Sequence, residues 1–424
     1  MTDNAKTKLP NSHRWVIFSI ICLIYFFVYF HRVSTSVIAA DILKAFDTNA
    51  VALGFMSSMY FYLYALEQPF VGYFTDKLGA RRVMAYCTLI AAAGCFLFAL
   101  APGIGWASAG RALIGIGVGG VYVPAIKAFS QWFRNNEFAT MLGLLAVVGN
   151  LGAIIATTPL AWAASEWGWR GSFNFIGVVS LVLALAALFL MKDFPETGKN
   201  IREESSFPVE KDHSLSIPFY KHLASRQFWI LAVTFLGVYG ITITFQGLWA
   251  TPYLMALLKT DQITASKLNM LIPAGFIVGS PLFGLLADRV FQSKVRAINL
   301  LLVMLTVSWA GIVFGMHLGV LWIMFFLFLM GIAAGGFINL LWAQVKEITP
   351  FPVLGTYSGL LNVAPFLGVA IFQVLTGSLL GRAKLVNGAY LPGAYESSFV
   401  FCFIVSCACL VLSFFIKKQK LQTA

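Results

Sequence analysis

Long apolar runs of about twenty residues recur about every thirty residues along this chain. About twenty apolar residues are enough for a helix to cross the ~30 Å hydrocarbon core of a bilayer. Lipid offers the backbone no hydrogen-bond partners, so such runs are expected to be helical. The pattern predicts an all-α membrane protein with twelve transmembrane helices, at residues 15–40, 51–73, 83–101, 106–130, 138–161, 171–191, 227–256, 268–287, 296–317, 320–345, 355–380 and 397–416.

The composition supports membrane insertion. Of 424 residues, 59% are hydrophobic and 11% charged, and the mean hydropathy is +0.83. A soluble domain has about 25% charged residues, so an ordinary globular protein is excluded. The first run is longer than the apolar region of a signal peptide and lacks a small-residue cleavage site. We therefore expect it to remain as a transmembrane helix.

The basic residues follow membrane sidedness. The net charge is +12, but the bases form no single patch or arm, so we expect no nucleic-acid partner. With the N-terminus inside, the inner side carries most bases, including Lys77, Arg81, Arg82, Arg134, Arg289, Lys294, Arg296, Lys417 and Lys418. The outer side carries Lys44, Arg170, Lys259, Lys267, Arg382 and Lys384. This asymmetry predicts that both termini are cytoplasmic.

One short phrase occurs in both halves of the chain. Gly72-Tyr-Phe-Thr-Asp76-Lys77-Leu-Gly79 returns as Gly284-Leu-Leu-Ala-Asp288-Arg289, and the glycine should let two helices approach closely. Residues 192–226 form the longest polar stretch and are predicted to be a cytoplasmic linker. We therefore predict two pseudo-symmetric six-helix bundles, at residues 1–191 and 227–424, as in internally duplicated transporters.

The repeated phrase resembles a motif of the major facilitator superfamily. The family pattern G-x-x-x-D-R/K-x-G-R-R/K-R/K is matched at Gly72, Asp76, Lys77, Gly79, Arg81 and Arg82, with Ala80 replacing one arginine, and a degenerate copy lies at Gly284, Asp288 and Arg289. The resemblance implies the major facilitator fold and a gating role for these residues. Arg111, followed by Gly115, Gly117 and Gly119, resembles the family's fourth-span motif, in which a buried arginine is associated with proton coupling.

Two branches of the family share further segments with this chain. The first span around Tyr29-Phe-His31-Arg32 resembles organophosphate and anion symporters, in which a first-span arginine meets an anionic substrate. The phosphate carriers have a second arginine in span seven, and Tyr239–Trp249 has none, so a phosphate dianion is not expected. The segments 60–69 and 247–254 resemble the phagosomal nutrient transporters, which move amino acids and nucleosides. The multidrug signature G-P-x-x-G-G is missing at Gly149–Gly152, which argues against multidrug export.

Ionisable groups within the predicted spans are the strongest site candidates, because a charge at mid-bilayer costs at least about 2.5–3.5 kcal/mol. Arg32 and Arg111 are predicted to contact a substrate carboxylate, although both could instead extend to the interface or pair with acids. His31 could take part in proton coupling or pack between helices. Glu67 and Lys127 lie at similar depths, which permits either a structural ion pair or a carboxylate that carries a proton.

The second half offers neutral polar and aromatic groups. Its candidate lining residues are Gln246, Trp249, Asn339, Trp342, Gln344, Asn362 and Gln373. The predicted substrate-binding set is Tyr29, Arg32, Arg111, Gln246, Trp249, Asn339, Trp342 and Asn362, and the predicted proton-coupling set is His31, Glu67 and Lys127. Helix packing is the alternative role for each amide and indole.

The sequence predicts a carrier without a cofactor. It has no P-loop, no His/Cys metal cluster and no nucleophile elbow, so we expect no ATP site, no metal and no enzymatic activity. We expect a monomeric secondary transporter in a bacterial inner membrane that takes up a small carboxylate-bearing metabolite with protons. An amino acid ranks first and an organic acid second. The alternatives are proton-driven efflux and a non-transporting receptor on the same fold.

Overall fold

The computed structural model describes residues 13–194, 225–315, 318–349, 354–386 and 388–417. Twelve long helices follow one another: α1 His13–Ala45, α2 Ala50–Leu78, α3 Ala80–Ala99, α4 Ile104–Trp132, α5 Asn135–Ile155, α6 Thr158–Leu190, α7 Arg226–Leu258, α8 Gln262–Phe291, α9 Lys294–Phe314, α10 Val320–Ile348, α11 Leu354–Leu380 and α12 Glu396–Ser413. The all-α prediction is confirmed. The predicted linker falls almost wholly on residues 195–224, outside the described residues.

Within the described residues, eleven helices are long and apolar enough to cross a membrane. The twelfth long helix, α2, has 29 residues and lies between two of these spans. Its middle is less apolar because it carries tyrosines together with Glu67 and Gln68. Each of the twelve predicted spans therefore corresponds to a long helix, and the one helix among them that is less apolar carries candidate site residues.

The largest difference in bounds is at α6. This helix begins at Thr158, whereas the apolar run predicted a start at residue 171. Gly168 has φ +69° and bends the segment, a conformation that glycine adopts without steric penalty. The added part contains Trp162 and Trp167, a residue type that favours the membrane interface, together with the charged Glu166, so a count of apolar residues alone missed it.

Two helices depart from regular geometry near their middle. α4 is interrupted between Gly119 and Tyr122, and α7 contains a π-helical turn at Phe245–Trp249. Such irregularities free main-chain carbonyls from the helical ladder. The carbonyl of Gly119 accepts a hydrogen bond from the Gln68 amide, and that of Gln246 accepts one from Asn269.

The two six-helix halves meet mainly where α1 packs beside α7 and α2 packs beside α11. We call the end of the bundle where α1 begins the His13 face, and the end where α1 finishes the Ala45 face. The predicted close helix approach at Gly72 and Gly284 is wrong, because no heavy atom lies within 4 Å of a Cβ built at either position. Both glycines lie near the His13 face, whereas Gly54 brings α2 against α11 near the Ala45 face.

Candidate functional site

A buried arginine lies between the two halves. Arg32 of α1 is 6% exposed, and its guanidinium donates to the hydroxyls of Tyr239 on α7 at 3.1 Å and Tyr64 on α2 at 3.3 Å. Its Cζ lies 4.4 Å from the ring centroid of Tyr29 and 5.2 Å from that of Phe366 on α11. We call these five residues the Arg32 cage; both halves of the bundle contribute to it.

The cage forms because the helix registers bring its members together. Tyr29 precedes Arg32 by three residues and so lies on the same side of α1. The rings of Tyr64 and Phe366 are 4.1 Å apart where α2 crosses α11, and the Phe366 ring is 5.7 Å from that of Tyr239. A Cβ at Gly247 would collide with the carbonyl oxygen of Arg32, so glycine there lets α7 approach α1.

No acidic side chain pairs with Arg32 in the part of the chain that the structure describes. Its Nε is also buried without a hydrogen-bond partner. A buried charge is costly without a counter-ion, and a guanidinium can bind a carboxylate through two parallel hydrogen bonds. The cage is therefore suited chemically to a small anion held between the two halves.

Arg111 does not join Arg32 in this cage. It is 0% exposed, and both of its terminal nitrogens donate to the main-chain carbonyl of His31, at 3.2 and 3.1 Å. Its Cζ lies 4.8 Å from the ring of Tyr60, whose hydroxyl donates to the carbonyl of Val28 at 3.0 Å. Arg111 and Tyr60 thus hold the backbone of α1 immediately before Arg32.

His31 lies on a different side of α1 from Arg32. Its Nε2 is 3.7 Å from the Cys95 sulfur on α3, and its ring packs near Phe27, Phe30 and Phe173. The side chain is 0% exposed, and Nδ1 has no partner. Its predicted role in proton coupling would therefore have to act from inside the first half.

The permitted pair between Glu67 and Lys127 is not formed. The Lys127 ammonium instead lies 2.8 Å from Asp76 Oδ1 and donates to the carbonyl of Thr75 at 2.9 Å. Equal depth of the two Cα positions did not predict the partner, because a lysine side chain can extend its ammonium toward the membrane interface, where Asp76 lies in the last turn of α2. The Glu67 carboxylate occupies the space that a side chain at Gly119 would fill, and its Oε1 is buried without a partner.

A second contact between the halves lies one helical turn from the cage, toward the His13 face. The Asn362 amide on α11 donates to Gln68 Oε1 on α2 at 3.4 Å, and Gln68 Nε2 reaches the Gly119 carbonyl at 3.4 Å. Gln68 and Asn362 each lie four residues from a cage member. Asn362 is thus the predicted second-half residue that lies nearest the cage along its helix.

The other predicted second-half residues lie elsewhere. Trp249 is 1% exposed and donates to the Thr376 hydroxyl at 2.8 Å. Gln246 belongs to the π-helical turn of α7, toward the Ala45 face. On α10, Asn339 donates to Ser280, and the Trp342 ring packs edge-on against Phe235 at 5.7 Å. The structure does not bring these four side chains into hydrogen-bonding contact with the cage.

The first copy of the repeated phrase is tied to the end of α6. Gly79 has φ +85°, which favours glycine, and the N–H of Arg81 donates to Asp193 at 2.9 Å. Lys77 lies over the ring of Tyr73 at 4.6 Å, and Arg82 is exposed at the start of α3. In the second copy, Asp288 and Arg289 lie in the π-helical turn that ends α8. A gating role for both copies stays a prediction.

Three contacts of the site were not predicted from the sequence: Tyr239, Phe366 and Gln68. Tyr64 and Gln68 are four residues apart, as are Asn362 and Phe366, and this shared spacing is a signal for two facing helix sides. Tyr239 has no comparable local signal. Its link to Arg32 depends on the packing of α7 beside α1.

Comparisons with known proteins identify the family of this chain. The model of the Major Facilitator Superfamily matches residues 21–373, and the chain belongs to that superfamily. It is a multi-pass membrane transporter rather than an enzyme.

Two relatives and one solved structure illustrate the similarity. The probable sulfoacetate transporter SauU of Cupriavidus necator is 27% identical over 293 residues, 68% of this chain and 67% of that protein. The probable galactarate/D-glucarate transporter GarP of Escherichia coli K12 is 23% identical over 417 residues, 91% and 93% of the two chains. A bacterial homologue of the human lysosomal transporter Spinster, in an inward-facing and occupied conformation, has a TM-score of 0.75 and 16% identity, covering 95% of this chain and 97% of that chain. This structural likeness shows the fold alone.

Proposed function

We propose that the chain takes up a small organic anion with a carboxylate group and couples its uptake to protons. The observation that carries this proposal is the Arg32 cage: a buried guanidinium between the halves that has no acidic partner among the described residues. An anionic substrate supplies the counter-charge that Arg32 lacks. Because both halves contact the bound substrate, a movement of one half against the other can change the side of the membrane from which the substrate is accessible.

The site supports an organic acid over an amino acid. An amino acid also presents an ammonium group, and none of the five cage residues is acidic. The relatives named above are described as transporters of sulfoacetate and of galactarate or D-glucarate, which are organic acids. We therefore reverse the order expected from the sequence and place the organic acid first.

The proton is assigned to Glu67. Glu67 is half-buried beside the interruption of α4, one helical turn from Tyr64 of the cage, and its Oε1 is buried without a partner. In such a site a neutral carboxylic acid is accommodated more readily than an unpaired carboxylate. We place the protein as a monomer in a bacterial inner membrane with the His13 face cytoplasmic, as the distribution of bases favours.

The test uses purified protein reconstituted in proteoliposomes. Galactarate, sulfoacetate and a set of amino acids are offered under an imposed pH gradient, alkaline inside, with and without a protonophore. The proposal expects accumulation of an organic acid that the protonophore abolishes. Accumulation unchanged by the protonophore would exclude proton symport. Binding of organic acids without any transport would favour the receptor alternative.

A further inference from the structure

Direct contacts between the two halves close the Ala45 face. The hydroxyl of Ser36 on α1 donates to that of Thr251 on α7 at 3.2 Å, and the Thr251 N–H donates back to Ser36 at 3.1 Å. Gln262 of α8 donates to the Val37 carbonyl at 2.7 Å. On the other side of the interface, Gly54 of α2 lies against α11. These contacts must separate before a solute can reach Arg32 from this face.

The register of α2 and α11 places two polar side chains within this closure. The helices run antiparallel, with Tyr64 against Phe366 at the cage and Gly54 against the main chain of Gln373. Ser57 precedes Tyr64 by seven residues, and Gln373 follows Phe366 by seven. Seven residues are about two turns, or about 10 Å. Ser57 and Gln373 therefore lie on facing sides of the two helices, between the cage and the Ala45 face.

Neither side chain has a hydrogen-bond partner there. Ser57 and Gln373 are both 0% exposed, and the Ser57 hydroxyl and both polar atoms of the Gln373 amide are unpartnered. The hydroxyls of Thr35, one turn beyond Arg32 on α1, and of Thr244, one turn before Gly247 on α7, are also buried without a partner. We call these four residues, one on each of α1, α2, α7 and α11, the unpartnered polar set.

We propose that the unpartnered polar set destabilises the closed state of the Ala45 face and so favours its opening. Closure buries the amide and the hydroxyls without partners, which is unfavourable, whereas opening lets water satisfy them. Ser36 and Thr251 act in the opposite sense, because their hydrogen bonds form across the closed interface. The unfavourable burial of these polar groups offsets part of the stabilisation that the apolar and glycine contacts of α2 with α11 give to the closed state. The closed Ala45 face can therefore still open.

This role is separate from substrate binding and from proton coupling. It concerns the equilibrium between closed and open Ala45 faces in the absence of solute, and a two-state equilibrium of this kind is shifted by any change that affects one state more than the other. The inference therefore goes beyond the proposed function, and its test needs neither a substrate nor a pH gradient.

The experiment measures how often the Ala45 face opens. A cysteine is introduced by Ala50→Cys, at a position that is 0% exposed and whose carbonyl lies close to Gly377 of α11. Cys87 and Cys407, the two half-buried native cysteines, are replaced by serine. The alkylation rate with a hydrophilic maleimide in detergent micelles, relative to the same protein unfolded, reports the open fraction even when that fraction is small.

Gln373→Leu has nearly the same volume and removes the unpartnered amide, so it should slow alkylation about tenfold. Ser57→Ala should slow it by a smaller factor. The matched control Ser36→Ala should speed alkylation, because it removes a hydrogen bond that closure forms. A misfolded variant would be recognised by a lower melting temperature together with faster alkylation. If Gln373→Leu misfolds in this way, the alkylation rate of Ser57→Ala tests the proposal in its place. Alkylation that is unchanged or faster in correctly folded Gln373→Leu or Ser57→Ala would overturn the proposal.

Discussion

The two halves of the bundle bring different chemistry to their interface. The first half contributes the buried cations Arg32 and Arg111 together with the half-buried Glu67. The fully buried side chains of the described second half include no charged group, and its half-buried pair, Lys294 with Glu347, lies near the His13 face. The second half meets Arg32 with the Tyr239 hydroxyl and the Phe366 ring. The pseudo-symmetric halves therefore contribute different groups to their interface: the first half carries the buried charge, and the second half adds a hydroxyl and an aromatic ring beside it.

The largest effect is expected for Arg32→Gln. An amide offers no fixed charge and no guanidinium fork, so binding of an organic anion should weaken by about 2–5 kcal/mol, or at least about thirty-fold, at every pH. Isothermal titration with galactarate or sulfoacetate measures this change. Tyr239→Phe, which removes only one hydroxyl from the second half, is the matched control and should weaken binding by less than about tenfold. Equal losses in the two variants would contradict the division between the halves.

The next effect is expected for Glu67→Gln, which should separate binding from coupling. A permanently neutral side chain imitates the protonated acid, so solute exchange between the two sides should continue while accumulation driven by a pH gradient is lost. Counterflow and gradient-driven uptake in the same vesicles measure the two quantities. Glu137→Gln is a suitable control, because that carboxylate is paired with Arg14 at 3.2 Å near the His13 face. If Glu67→Gln still accumulates solute, Glu67 does not carry the coupled proton and serves only in helix packing.

A smaller effect is expected for Arg111→Lys. Lysine keeps the positive charge but cannot place two donors on the His31 carbonyl, so α1 should hold Arg32 less accurately and anion affinity should fall about tenfold. The melting temperature should fall with it. Normal affinity in Arg111→Lys would mean that Arg111 acts through its charge alone, and loss of binding as complete as in Arg32→Gln would place it on the substrate.

The sequence predicted the helices and the position of Arg32 inside the bundle better than it predicted the partners of the buried side chains. Apolar runs give a span directly, because bilayer thickness sets their length. An arginine within a span is also easy to recognise in the sequence. Its charge is costly in hydrocarbon, so such residues are usually functional. Which group meets it depends on helix rotation and tilt. Lys127 pairs with Asp76 instead of Glu67, and the contact of Tyr239 with Arg32 depends on the packing of α7 beside α1.

Glycines illustrate the same limit. Gly72 and Gly284 share a repeated phrase and were expected at close helix contacts, yet neither has such a neighbour. Gly54 stands in no recognisable motif and packs directly against α11. The sequence shows only that a glycine has no side chain. Which neighbouring backbone occupies the space beside it depends on how the helices pack. The lack of a hydrogen-bond partner for the Gln373 amide likewise depends on the packing of α2 against α11 and has no signal in the sequence.

The smallest effect separates the two copies of the repeated phrase. Asp76 pairs with Lys127 at 2.8 Å, but its side chain is 79% exposed, and exposed pairs contribute only about 0–1 kcal/mol. Asp76→Asn should therefore slow transport by no more than about fivefold, leave anion affinity unchanged and lose its effect at high salt. No ion pair is described for Asp288, so Asp288→Asn should change transport less. Equal slowing by the two variants would argue that the copies act alike despite their different contacts, and a loss of affinity in Asp76→Asn would bring the first copy into the binding site.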